Sequence, residues 1–237
     1  MTAYVLVHGA FRGGWAWDAP PGELGVRARL EAAGHQVLAP SLPQAGDRYD
    51  GTDPLVTLPD YVADLVAAIE AADLREVVLV GHSQGGVVAI AAAAAVPSRV
   101  AALVLLDAPV PDPGTSVAEV VPAEVRAAYG DPPPPSTWLP ARPLAADPDA
   151  GLTDELVAWA NPLLTPSPAG PAYDPVPAVP PGIPVRQVFF ARTPAWFPCI
   201  HTRARLDAQG TAYEVLDAGH DAPLTHPAEV AALLLRA

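Results

Sequence analysis

A serine hydroxyl is a weak nucleophile near neutral pH. It needs a base to take its proton and a third group to hold that base. Gly81-His82-Ser83-Gln84-Gly85 sets a serine in the pattern G-x-S-x-G, between an apolar run at 76–80 and a small-residue run at 85–95. This pattern carries weight only between a strand and a helix, where it puts the serine on a sharp, strained turn. Gly81 and Gly85 then have to be small because strand and helix come close, and the helix N-terminus favours a developing anion. The plain alternative is a chance match in a glycine-rich turn; the flanking strand and helix patterns argue against it.

A base has to come from elsewhere in the chain. His220, in Asp217-Ala218-Gly219-His220, directly follows the last predicted strand, whereas His35 precedes a strand and His201 and His226 lie in or beside helices. His220 is therefore the candidate base, its plain alternative being a surface-loop histidine. Acyl transfer also needs two backbone N–H donors for the oxyanion. Gln84, next after the serine, supplies one, and Ala10, in the loop His8-Gly9-Ala10-Phe11 after the first strand, is best placed for the other. His8 is assigned a structural role in tying that loop. For the acid, Asp107 in Leu105-Leu106-Asp107-Ala108-Pro109 follows the strand after the nucleophile helix. Its plain alternative is a loop cap. Asp217 and Asp221 are rivals; Asp217 could bond the ring from below, while Asp221 is expected to point away.

The elements that must position these groups are legible as alternating patterns. Strands are expected at 3–7, 36–39, 76–80, 100–106, 185–191 and 212–216, and helices at 22–33, 58–72, 85–95 and 227–236. The 58–72 helix is amphipathic, with Tyr61, Leu65, Ala68 and Ile69 on one face. The strands are continuous apolar runs rather than alternations, which marks strands covered on both sides. The β-α-β-α order predicts an α/β fold: a mostly parallel sheet of about six strands with helices on both faces. Ligands of such sheets bind at the carboxyl ends of the strands. His8, Ser83, Asp107 and His220 all follow strands, so they fall on one rim.

Composition narrows the function further. The chain has 237 residues, 51% hydrophobic, with a formal net charge of −13 and arginine as its only strongly basic residue. This excludes lysine Schiff-base chemistry and argues against nucleic-acid or anionic-membrane partners. Cys199 is alone, so no intrachain disulfide forms. No signal peptide is read at the N-terminus, and the run at 87–96 is too short to span a membrane, so a cytoplasmic protein is expected. Most of the 31 prolines fall in 109–184, including Pro132-Pro133-Pro134-Pro135. Proline cannot donate to a ladder, so this stretch reads as an insertion within a single domain spanning 1–237.

His8-Gly9-Ala10-Phe11-Arg12-Gly13-Gly14-Trp15-Ala16-Trp17, Gly81-His82-Ser83-Gln84-Gly85-Gly86 and Ala218-Gly219-His220-Asp221, in this order and spacing, resemble the α/β-hydrolase superfamily. The W-x-W ending of the first motif is similar to the branch of plant methylesterases and hydroxynitrile lyases and related bacterial esterases. The match spans 3–110 and 185–236, and 109–184 would be a cap. The resemblance implies an esterase with Ser83 as nucleophile, His220 as base, Asp107 as acid, and Ala10 and Gln84 at the oxyanion hole. The family usually places its acid after the penultimate strand, where this chain has Arg192 and no carboxylate. Some members place it where Asp107 stands. Similar lyases carry threonine and lysine where this chain has Gly9 and Asp221, and an anion beside the site would repel cyanide.

The expectation is therefore a serine hydrolase acting on a small-molecule carboxylic ester through an acyl-enzyme, without metal or cofactor. Phe11, Trp138, Trp159 and Trp196, with Phe197, are candidate substrate contacts, and Trp15 and Trp17 are expected in the core. A homodimer is compatible with the sequence. A lyase or biosynthetic tailoring enzyme, or a non-catalytic ligand-binding member, are the alternatives.

Overall fold

Successive residues of a strand point to opposite faces. In a computed structural model of the chain, which describes residues 2–121 and 136–236, strand β1 (Ala3–Val7) divides accordingly. Ala3, Val5 and Val7 enter one buried cluster, and Tyr4 and Leu6 enter another. The chain continues through α1 (Val26–Ala32), β2 (Gln36–Leu38), α2 (Leu58–Ala71), β3 (Val77–His82), α3 (Gly85–Ala95), β4 (Val100–Leu106) and α4 (Val117–Val120). After these come β5 (Trp138–Leu139), α5 (Asp154–Ala160), β6 (Ser167–Pro168), β7 (Val185–Phe190), α6 (Cys199–Gln209), β8 (Glu214–Leu216), α7 (Ala222–Thr225) and α8 (Pro227–Leu234).

Six strands form one sheet in the order β2-β1-β3-β4-β7-β8, and every pairing in it is parallel. Helices α2 and α3 cover the face bearing Val5, Leu79, Leu103 and Leu105. Helices α1 and α8 cover the face bearing Leu6, Val80, Val104 and Phe190. This is why the strands read as continuous apolar runs. Tyr4 donates its hydroxyl to the Leu234 carbonyl at 3.0 Å and so fastens β1 to α8.

Helix α2 starts at a capping box, in which Thr57 Oγ1 accepts from the Asp60 N–H and the Asp60 carboxylate accepts from the Thr57 N–H. It buries Leu58, Tyr61, Leu65 and Ile69, close to the expected face, with Ala68 only half-buried. Helix α3 is buried through Ala93 on all sides, wedged between β3 and α2. Its small side chains permit that approach.

Element boundaries differ from expectation where backbone approach overrides residue preference. Helix α1 starts at Val26 rather than at 22, because Gly22 holds φ +94° and Gly25 is extended against Asp18. Strand β3 runs two residues past Val80, since Gly81 and His82 pair with Leu105 and Leu106. Strand β8 begins at Glu214 rather than 212. In the proline-rich stretch, β5 and β6 pair antiparallel over two residues each; the Pro132-Pro135 run lies outside the described residues. Among the described residues, no helix is long and apolar enough to cross a membrane.

β1 pairs with β2 on one side and β3 on the other, so the direction of chain progression reverses between β1 and β3. The carboxyl ends of strands at such a reversal leave a crevice. The loops after β1 and β3, carrying His8 and Ser83, flank it.

Candidate active site

Ser83 sits at φ +53°, in the left-handed region that a side chain adopts only under constraint. The constraint is visible around it. The Ser83 N–H donates to the Leu106 carbonyl at 3.0 Å, and the Gly86 N–H donates back to the Ser83 carbonyl at 2.9 Å. A Cβ on Gly81 would come within 2.5 Å of the Gly85 carbonyl oxygen, and one on Gly85 within 2.4 Å of the Val7 oxygen. These contacts are the physical content of the two glycines flanking the serine. A Cβ on Gly9 would meet the Ser83 Cβ at 2.9 Å, so the loop after β1 passes directly beside the serine.

His220 reaches the serine from the loop after β8. Its Nε2 lies 3.1 Å from Ser83 Oγ, and its Nδ1 lies 2.6 Å from Asp107 Oδ2. The direction of both bonds follows from Asp107. Burial alone would raise the pKa of this carboxyl, but hydrogen bonds from His220 and Thr193 and the His220 charge bring it below the ordinary carboxylate range. An ionised carboxylate only accepts, so Nδ1 carries the ring proton and Nε2 is left to accept from the serine hydroxyl. The structure thus joins Asp107, rather than Asp217 or Asp221, to the ring. Asp107 holds φ +47° at the end of β4, and its N–H donates to the Val188 carbonyl of β7 at 2.7 Å.

Asp217 is exposed and pairs with Arg192 at 3.5 Å. Arg192 stands at the position where the resemblance implies an acid. It braces the His220 loop through its backbone N–H to the Ala218 carbonyl and its guanidinium to the Asp217 carbonyl. Asp221 turns from the ring to Arg12, whose guanidinium lies 2.5 Å away; both side chains are mostly buried. Arg12, with burial opposing it, helps hold the Asp221 carboxyl below its usual range. The residue after the base is therefore half of a neutral pair and not a bare anion. That corrects the physical reason given above against cyanide chemistry: what is missing there is an uncommitted cation.

His8 behaves as a tie. The Leu42 N–H donates to its Nε2 at 3.0 Å, so its Nδ1 bears the proton and donates to the Gly9 carbonyl at 2.8 Å. Burial pushes His8 down to about 4. Among the described residues, no protein acceptor takes the Ala10 or Gln84 N–H.

The aromatic candidates part ways. Trp138 packs edge-on against Tyr49, and Trp159 packs edge-on against Trp15. Trp17 is fully buried as expected, whereas Trp15 is only partly so. Phe11 holds φ +66°, and its carbonyl accepts from the Thr165 N–H at 3.2 Å. The aromatic ring lying on His220 is Phe197, at a centroid distance of 4.0 Å, and the exposed Trp196 stacks on Phe197 at 4.1 Å.

Several groups at the site went unread in the sequence. His82 continues the alternation of Val78 and Val80 onto the α1/α8 face, and its Nε2 donates to the His220 carbonyl at 2.8 Å. Burial, helped by the neighbouring His220, pushes it down to about 3, so it stays neutral. The alternation of β3 was the available signal. Thr193 Oγ1 donates to Asp107 Oδ2 at 2.6 Å. Cys199, singled out only for lacking a disulfide partner, is buried with its sulfur within 4.8 Å of ligand atoms of Asp107 and His220. Sulfur, carboxylate and imidazole can together hold a metal ion. Here Nδ1 and Oδ2 are already bonded to each other, and burial and the Asp107 charge push the thiol up. A metal needs the thiolate, so the cluster fits a hydrogen-bonded support better than a metal site.

Residues 4–233 match the alpha/beta hydrolase family. The chain is 39% identical over 122 residues to a carbendazim hydrolyzing esterase of a Nocardioides species, covering 52% of this chain and 48% of that protein. It is 41% identical over 111 residues to methylesterase 7 of Arabidopsis thaliana, covering 46% and 40% respectively. The matched stretches thus span about half or less of these relatives. Solved structures extend the likeness in shape. A polyneuridine aldehyde esterase variant aligns with TM-score 0.77 at 25% identity over 99% of this chain and 98% of its own. An extracellular hydrolase from a Paenibacillus species aligns with TM-score 0.76 at 21% identity over 100% and 99%.

Proposed function

The chain belongs to the alpha/beta hydrolase family, and from that premise we propose that it is a serine hydrolase of small-molecule carboxylic esters. The observation that carries this reading is the unbroken line from Asp107 Oδ2 to His220 Nδ1, 2.6 Å, and from His220 Nε2 to Ser83 Oγ, 3.1 Å. The names of the relatives, esterase and methylesterase, support the ester bond as the target.

Ser83 Oγ attacks the ester carbonyl as His220 Nε2 takes its proton. Asp107 keeps Nδ1 protonated and stabilises the imidazolium that forms. The N–H groups of Ala10 and Gln84 receive the oxyanion, with the α3 N-terminus behind Gln84 adding a favourable field. The alcohol leaves with the proton from His220, and an acyl group remains on Ser83. A water then gives its proton to His220 and attacks the acyl carbon, and as the acid is released His220 returns that proton to Ser83 Oγ. No step calls for a metal or organic cofactor. In this reading the proline-rich insertion, as far as it is described, serves as the cap, and Phe197, with Trp196 stacked on it, lies against the base His220. Cytoplasmic location belongs to the same reading.

A p-nitrophenyl ester tests the mechanism. The expected result is a burst of p-nitrophenol stoichiometric with enzyme, and an acyl adduct on Ser83 by mass spectrometry. Ser83→Ala is expected to abolish both; full activity in that variant would overturn the proposal.

A further inference from the structure

Asp107 is wholly buried at the end of β4, yet much of what donates to it, apart from His220, comes from the end of β7 and the segment beyond. The Phe190 N–H donates to Oδ1 at 3.2 Å, and the Thr193 hydroxyl donates to Oδ2 at 2.6 Å. The Cys199 sulfur, at the start of α6, lies within 4.8 Å of ligand atoms of Asp107 and His220. The segment that lacks the acid thus supplies the donors that hold it. Resting on the hydrolase reading above, we propose that Thr193 is a positioning residue for the reaction, its hydroxyl sharing Asp107 Oδ2 with His220 Nδ1.

Two consequences follow from the geometry. The first is orientation. A carboxylate torsion is broad and two-fold, and the long bond to Oδ1 restrains it weakly. A short second bond on Oδ2 fixes the oxygen that faces Nδ1. Thr193 is suited to this because it is buried, its branched Cβ restricts its own rotamer, and its N–H is tied to the Phe190 carbonyl at 3.3 Å. The second is charge. Oδ2 divides its negative charge between two donors, so the hydroxyl moderates the pull of Asp107 on the imidazolium. The other titratable or charged groups facing this pair are Asp221 with Arg12, His82, Cys199 and Arg203. Asp221 is matched by Arg12, His82 is neutral, the thiol is protonated and Arg203 pairs with Tyr213. None of these five groups bonds to the Thr193 hydroxyl, so the effect of removing it acts through Asp107.

The test compares Thr193→Val, which keeps the shape and loses the hydroxyl, with Thr193→Ser, which keeps the hydroxyl. Both are made in the full chain, with Ser83→Ala alongside. Thr193→Val is expected to lose roughly 10- to 100-fold in kcat with KM nearly unchanged. The acid limb of its kcat/KM profile should move up by about half a pH unit, because more of the carboxylate charge falls to the imidazolium. Thr193→Ser is expected to restore both. The downfield proton resonance of His220 Nδ1–H, read without substrate, should shift in the valine variant and return in the serine variant. Should Thr193→Val not fold, Thr193→Ala carries the same readings. An unmoved limb and resonance, or a serine variant that behaves like valine, overturns the proposal. Activity surviving in Ser83→Ala would instead sink the hydrolase reading and the kinetic role of Thr193 with it, whatever the resonance does.

Discussion

Asp107 separates what a carboxylate does by charge from what it does by shape. Asp107→Asn keeps the volume but turns an acceptor-only group into one that can donate. His220 would then be pushed toward the tautomer with its proton on Nε2, facing Ser83, and lose its ability to take the hydroxyl proton. A fall in kcat of about 10³- to 10⁴-fold with little change in thermal stability is expected, measured by ester hydrolysis and a melt. Arg12 poses the reverse case. Arg12→Ala leaves Asp221 as a largely buried, unpaired anion, which costs about 3–5 kcal/mol. Arg12→Ala with Asp221→Ala should recover most of that loss, because no charge is then stranded. Urea denaturation of the two single variants and the double variant measures the recovery; additive losses would show that the pair is not coupled.

Among the elements, α3 depends most on the absence of side-chain volume. In Gly85→Ala the new Cβ would lie 2.4 Å from the Val7 oxygen and 2.5 Å from that of His8, both in backbone that cannot yield. The crossing of β1 by α3 would open, and little soluble protein is expected on expression. By contrast, Thr57→Ala removes one half of the α2 capping box at an exposed helix end and should cost only about 1 kcal/mol, read from a denaturation midpoint. This contrast also marks what the sequence could reveal. Strand and helix types, the serine turn and the rim location came from local patterns and were legible. Asp107 was legible only as one of three candidate carboxylates, since Asp217 also directly follows an apolar run, and the resemblance was needed to prefer it. Thr193, 86 residues from Asp107, acts through a contact that no local pattern encodes, and for His82 the β3 alternation marks a buried face but not its partner His220, 138 residues away. The extension of β3 through Gly81 and His82 was hidden for a similar reason: neither residue favours a strand, and pairing with β4 decides the matter.

For the whole molecule, the two buried histidines set a limit on acid tolerance. Burial lowers His8 to about 4 and His82 to about 3 in the folded state, whereas both titrate near 6.5 when unfolded. A depressed histidine favours the fold fully above the unfolded value. Between the unfolded and folded values the unfolded chain binds more protons, so stability declines as pH falls. Each histidine should cost about 1.4 kcal/mol per pH unit through that window. Denaturation midpoints measured between about pH 7 and about pH 5 should therefore fall steeply, and His8→Asn should flatten the slope. A slope unchanged in that variant would show that His8 does not contribute.

Cys199 gives the protein a reporter of its own opening. Its sulfur is buried at the junction of α6, β7 and the Asp107 carboxylate, and the thiol is held protonated there. Alkylating reagents attack thiolates they can reach, so the native molecule should be inert to them. Labelling would count the moments when α6 lifts from the sheet. Its rate measures how often the support of the acid dissolves, one molecule at a time and without substrate.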